Sequence, residues 1–234
     1  MMNPVAFEFA ERKTEVDLYF GYLEKIDRDG SCLALVDGSG MQHVQFGREF
    51  RTILKANAVL LLYNLVESTV QKAIESIAEA VGREKASYED ASRNLRAIWS
   101  KAMVRRLRKA TEETWTKELS TVVEECLRRE VLELNAREVL KSNAGNIDAD
   151  FVRKLADDFG FTLDARPAAK GGAELERIKR SRNDLAHGIE KFTQVGGRLT
   201  VADIQMMKEQ VGCFLEDLII SVERYVAQRQ FKVA

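Results

Sequence analysis

The sequence predicts an all-α helical bundle that carries one small β-hairpin near its N-terminus. Only 2 prolines and 14 glycines interrupt 234 residues, so long helices meet few breakers. Apolar side chains recur every three or four positions through most of the chain, which is the helical period. Strand-like alternation is confined to one short region. With 45% hydrophobic and 31% charged residues, the chain has the apolar content of a folded protein and not that of a disordered one.

Residues 5–26 form the first predicted helix, with a loose stripe of Phe7, Thr14, Leu18, Tyr22 and Ile26. Residues 31–36 and 41–46 form the hairpin, turned by Asp37-Gly38-Ser39-Gly40, in which Asp-Gly supplies the tight-turn chemistry. A long helix follows over 48–81. Its centre, from Ala58 to Tyr63, is apolar nearly all round, as in an element packed on several sides. Ser87 and Asp90 have the spacing of a cap for the next helix, whose stripe is Leu95, Ile98, Trp99, Ala102, Met103 and Leu107. Another helix carries Trp115, Leu119, Val122, Val123, Cys126, Leu127 and Val131. Core packing is the expectation for both Trp99 and Trp115.

Asp148 opens a short helix that Gly160 closes. Residues 166–172 read as a flexible loop, 173–187 as a helix stopped by Gly188, and Gly196-Gly197 as a turn. Thr200 and Asp203 cap the last helix, whose stripe from Ile204 to Tyr225 is the cleanest in the chain.

Charge and cysteine content narrow the function. A net charge of −1 excludes a protein that coats nucleic acid by charge alone, so any such contact needs a local basic surface. The 3 cysteines are far apart and odd in number, which reads as free thiols in a reducing compartment. The longest uninterrupted apolar run, 58–63, is far shorter than the ~20 residues that span a bilayer, and the first residues are charged where a leader would be apolar. A cytoplasmic protein without membrane contact is expected.

Only two histidines, His43 and His187, are present. No clustered His/Cys set suggests zinc, and no phosphate-cradling glycine loop or other cofactor signature is visible, so neither metal nor cofactor is expected. His43 falls in the hairpin and reads as an exposed strand residue. The setting of His187 is Arg182-Asn183-Asp184-Leu185-Ala186-His187-Gly188. On a helix, Asn183 and His187 share a face, while Arg182 sits roughly 140° from His187 around the axis and about 7.5 Å along it.

Such a trio suits RNA cleavage without a metal. The ribose 2′-OH must lose a proton as it attacks phosphorus, and the departing 5′ oxygen must gain one. An imidazole with an ordinary pKa near 6.5 can do either at neutral pH. Arginine holds the phosphoryl oxygens as charge develops on them, and asparagine adds a neutral donor. The competing reading is a histidine favoured by a helix C-terminus beside a solvated arginine.

This stretch resembles the Arg-polar-x-x-x-His motif of HEPN proteins. Residues 53–69, with Leu62-Tyr63-Asn64-Leu65-Val66-Glu67-Ser68-Thr69, and Gly145-Asn146-Ile147-Asp148 are similar to the prokaryotic MAE-like branch of that superfamily. The resemblance spans roughly residues 50–225 and implies one HEPN-like domain over 1–234, with an N-terminal part at 1–48 and a helical core at 49–228. It further implies a homodimer with two Arg-His pairs in a shared cleft, acting as an endoribonuclease of a toxin or defence system. A regulatory partner such as an antitoxin belongs to that picture. Carried over residue by residue, Arg182 and His187 become the catalytic pair and Asn183 the accessory polar group, flanked by Asp184. One HEPN toxin subgroup has a modifiable tyrosine two residues after the histidine; Ile189 stands there instead. A non-catalytic HEPN module binding protein, nucleotide or RNA is the alternative.

Asn64 and Glu67 lie on one face of the long helix, either supporting the pair or facing solvent. Arg105, Arg106 and Arg108, with Lys179 and Arg180, form the candidate RNA-guiding surface; the plain alternative is a set of solvated helix-end cations.

Overall fold

A computed structural model of the chain describes residues 4–38, 40–140 and 145–233. It is all-α apart from one two-stranded sheet. The elements run α1 (Pro4–Asp27), β1 (Cys32–Asp37), β2 (Gly40–Gln45), α2 (Arg48–Arg83), α3 (Arg93–Lys109), α4 (Glu112–Leu127), α5 (Ala136–Leu140), α6 (Ala149–Phe159), a 3₁₀ turn (Pro167–Gly172), α7 (Ala173–Ala186), α8 (Phe192–Gly197) and α9 (Val201–Ala227).

The centre of the bundle is α2, which packs against α1, α7, α8 and α9. Its buried side chains, among them Val59, Leu62, Tyr63, Val66, Val70, Ile74 and Ile77, point to several sides. By length and composition α2 is apolar enough to cross a membrane, yet half of its most apolar stretch is buried among the other helices, as in a core helix. The largest buried cluster joins it to Phe20 of α1, Phe159 of α6, and Phe214, Leu218 and Tyr225 of α9.

The first helix is where the sequence places it, but the other face is buried. Val5, Phe9, Val16, Phe20 and Leu23 enter the core, while Phe7, Leu18 and Tyr22 are exposed. Apolar residues lie on both sides of α1, so its pattern specifies a helix without choosing the inward face. The hairpin is antiparallel, pairing Leu33 with Val44 and Val36 with Met41. Ser39 of the expected turn lies outside the described residues. His43 is exposed on β2, its Nδ1 3.5 Å from the Cys32 Sγ.

Four local expectations change. Gly196-Gly197, expected as a turn, are instead the last residues of the short helix α8. Ser87 and Asp90 build a turn, in which the Asp90 carboxylate accepts from the Ser87 N–H and hydroxyl. The actual cap of α3 is Ser92, whose Oγ accepts from the Leu95 N–H. Helix α4 stops at Leu127 and buries no residue; Trp115 is 46% exposed, whereas Trp99 is buried edge-on against Tyr88. An amphipathic stripe is satisfied only where a neighbour covers it, and the main neighbour of α4 among the described residues is α3. Finally, the expected loop at 166–172 is an anchored 3₁₀ turn: Arg166 donates from its backbone N–H and its Nε to the buried Asp217 of α9, and Ala169 is sealed beneath it.

Gly196 explains how α8 approaches α2. A Cβ there would lie 1.8 Å from the Thr52 carbonyl oxygen, so only glycine allows the two backbones to meet. Around that contact Ala56, Leu185 and Val195 form a small second cluster that ties the end of α7 to α2 and α8.

Candidate functional site

Helix α7 buries Leu175, Ile178 and Leu185 and turns its polar face outward. Its end is closed by backbone geometry. The His187 N–H donates to the Asn183 carbonyl (2.9 Å), and the Ile189 and Glu190 N–H groups both donate to the Asp184 carbonyl (2.9 and 3.2 Å). Gly188 takes a left-handed φ of 67°, which ends the helix immediately after the histidine. His187 is therefore the capping residue, presented in solvent. Among the described residues its imidazole has no hydrogen-bond partner. Asp184 shapes this turn through its carbonyl.

Arg182 goes a different way. Its guanidinium lies 5.0 Å from the centre of the Tyr63 ring, a cation–π contact worth roughly 0.5–2 kcal/mol. Nη1 donates to the Asn183 Oδ1 at 3.0 Å and makes a long 3.5 Å contact with the Gly145 carbonyl. Asn183 in turn donates from Nδ2 to the Asn146 Oδ1 at 2.8 Å. The Tyr63 hydroxyl accepts from the Ile147 N–H at 3.2 Å. Segment 145–147 is thus tied to α2 by Tyr63 and to α7 by Asn183, with the guanidinium between. Among the described residues no hydrogen bond links Arg182 to His187: the guanidinium is engaged by Tyr63, Asn183 and Gly145, and the imidazole stands in solvent.

Two ionisable groups on the elements around the site are shifted, Tyr63 beneath Arg182 and Asp148 beside Lys179. Burial pushes the Tyr63 hydroxyl up, and the charge of Glu67 adds to this against the pull of the Ile147 N–H and Arg182. Glu67 is therefore a neighbour of the tyrosine. Asn64 is exposed and has no hydrogen-bond partner among the described residues. At the start of α6, Asp148 caps the helix by accepting from the Phe151 N–H (2.8 Å) and binds Lys179 (2.5 Å). Burial works to raise this carboxyl, but Lys179 and the Phe151 N–H outweigh it and hold it below the ordinary carboxylate value.

The basic residues fall into two groups on separate helices. Lys179 is paired with Asp148 and Glu176, and Arg180 with Glu176 (2.6 Å). Arg106 is paired with Glu118 (2.7 Å) and Glu125 (3.3 Å), and Arg105 donates to the Glu138 carbonyl. Arg108 is exposed near the end of α3. Among the described residues no group of three His, Cys, Asp or Glu side chains could hold a metal ion.

Motif reading found Arg182, Asn183 and His187 and overlooked Tyr63, Gly145 and Asn146 as parts of the same cluster. One signal for Tyr63 was present: a hydroxyl that ends the six-residue apolar run 58–63 of a core helix must find a partner when buried. The sequence matches the family described as "HEPN_MAE_28990:/-like HEPN" over residues 2–231. No curated protein and no solved structure matches it.

Proposed function

The chain belongs to the MAE_28990-like branch of the HEPN superfamily, and from that premise we propose that it is a metal-independent endoribonuclease of a toxin or defence module. HEPN domains are often ribonucleases or nucleotide binders and commonly dimerise. In this reading one HEPN-like domain forms a homodimer in the cytoplasm, away from membranes, and brings Arg182 of one copy toward His187 of the other.

The observation that carries the proposal is the opposite presentation of the two groups. His187 ends its helix in solvent without a partner, while Arg182 is held on the bundle with donors to spare. An imidazole free of structural bonds can take the 2′-OH proton or protonate the departing 5′ oxygen, a contribution of about 10²–10⁴-fold in rate. The guanidinium holds the non-bridging oxygens as the 2′ oxygen closes on phosphorus and the P–O5′ bond breaks. The products are a 2′,3′-cyclic phosphate and a 5′-hydroxyl. Lys179, Arg180 and Arg106 are neutralised by carboxylate partners, so the positive charge along the strand's path comes from the exposed Arg105 and Arg108. With Ile189 in place of a modifiable tyrosine, silencing by modification at that position is not part of this reading.

Purified protein should cut RNA in the presence of a chelator, and His187→Ala and Arg182→Ala should each abolish cleavage. Mixing these two inactive variants should restore part of the activity if each cleft takes one group from each copy. Cleavage that survives His187→Ala overturns the assignment. A folded, dimeric, RNA-binding protein that never cuts would make it an adaptor module.

A further inference from the structure

Arg182 is over-supported for a surface arginine. A long flexible side chain on the outer face of a helix ordinarily keeps its rotamers in solvent. Here contacts from three segments converge on it: the Tyr63 ring of α2 beneath the guanidinium plane, Asn183 of α7 on Nη1, and the backbone of Gly145 against the same corner. The segment bearing Gly145 is itself locked, since Ile147 donates to the Tyr63 hydroxyl and Asn146 accepts from Asn183.

Gly145 is left-handed at φ 78°, and a Cβ there would lie 2.9 Å from Nη1 and 3.3 Å from Nη2. The absence of a side chain at 145 is thus what lets the guanidinium come this close to the backbone. The hydrogen-bonding contacts engage one corner of the fork, Nη1. Nε and Nη2 have no hydrogen-bond partner among the described residues, and they form the edge whose two parallel N–H vectors match two oxygens of a phosphate.

Taking the nuclease reading for the identity of the anion, we propose that Tyr63, Gly145 and Asn146 are positioning residues. Together with Asn183 they seat Arg182, so that its Nε–Nη2 edge is a preformed two-point site for one phosphate of an RNA backbone. Asn183 acts through this seat, not on the imidazole: both polar atoms of its side chain are engaged, Oδ1 by Arg182 and Nδ2 by Asn146. An arginine ordered before the phosphate arrives loses less freedom on binding and meets the developing charge already aimed.

The test reads Arg182 directly. In ¹⁵N-labelled full-length protein, with Arg182→Lys used for assignment, the Arg182 guanidinium should rotate slowly about its Nε–Cζ and Cζ–Nη bonds compared with Arg108 and Arg180. Added inorganic phosphate should shift its Nε–H resonance. Asn146→Ala should speed the rotation, weaken the phosphate shift about 10-fold and lower kcat for RNA by about 10–100-fold, with the melting temperature unchanged because Asn146 is exposed. Asn146→Asp keeps the acceptor and should restore slow rotation. Tyr63→Leu removes the ring and should act the same way as Asn146→Ala; being buried, it is read only if folded, and Asn146→Ala decides the matter otherwise. Fast rotation in the wild type, or slow rotation that persists in Asn146→Ala, overturns the seat whether or not RNA is cut. Slow rotation with a phosphate response in a protein that never cuts RNA upholds the seat and removes the nuclease reading.

Discussion

Replacing Gly145 by alanine separates backbone strain from loss of function, because Gly160 provides a matched control. Both glycines are left-handed, with φ of 78° and 84°. Alanine in that region costs roughly 1–2 kcal/mol, which for a chain of this size lowers Tm by about 2–4 °C per kcal/mol. Their surroundings differ. At Gly160, in the cap of α6, the new methyl meets the Asn94 side-chain amide at 3.0–3.3 Å; at Gly145 it meets the Arg182 guanidinium at 2.9–3.4 Å.

The guanidinium is the far end of a flexible side chain, so it can swing off Tyr63 at little further cost to stability. The two variants should therefore melt at similar temperatures. Cleavage should part them: Gly145→Ala is expected to lose about 100-fold in kcat, the scale for misplacing a reacting group by about 1 Å, while Gly160→Ala keeps wild-type turnover well below its melting point. Calorimetry and a fluorogenic RNA substrate measure both quantities. Full turnover in Gly145→Ala, or equal losses in the two variants, would refute the reasoning.

Other consequences concern the frame around the site. Gly196→Ala places a methyl 1.8 Å from the Thr52 carbonyl, so α8 must retreat from α2 by more than an ångström; we expect a loss of about 1–3 kcal/mol in urea unfolding, and an unchanged midpoint would contradict the close approach. The depressed Asp148 carboxyl contributes stability that is fully present above its unfolded value of about 3.8 and is lost as pH falls through the lower folded value. Asp148→Asn should therefore lower stability at neutral pH and flatten its decline below about pH 4. Acid unfolding curves of equal steepness would dismiss that role.

The arrangement of the site was only partly legible. Arg182 and His187 are recognisable as a pair by their spacing near a helix end, but spacing along one helix gives no information on where an arginine's four-torsion side chain comes to rest. That was decided by Tyr63, 119 positions earlier, and by a glycine whose vacancy shows only when its neighbour is known. Asn183 shares a helical face with His187, yet its amide answers Asn146, because a hydrogen bond follows the nearest partner in space.

What the chain determined locally is secondary structure and termination. Periodicity, scarce prolines, the Thr200–Asp203 cap, and Gly160 and Gly188 as left-handed stops all act through neighbouring residues, and each has the expected outcome. Tertiary structure alone decided which face of α1 turns inward, why Trp115 is left half in solvent while Trp99 is buried, and how 166–172 is tied down by Asp217. Those outcomes depend on which surface covers which. Burial is a property of pairs of elements brought together by folding, and a pattern along one element fixes only its own half of the contact.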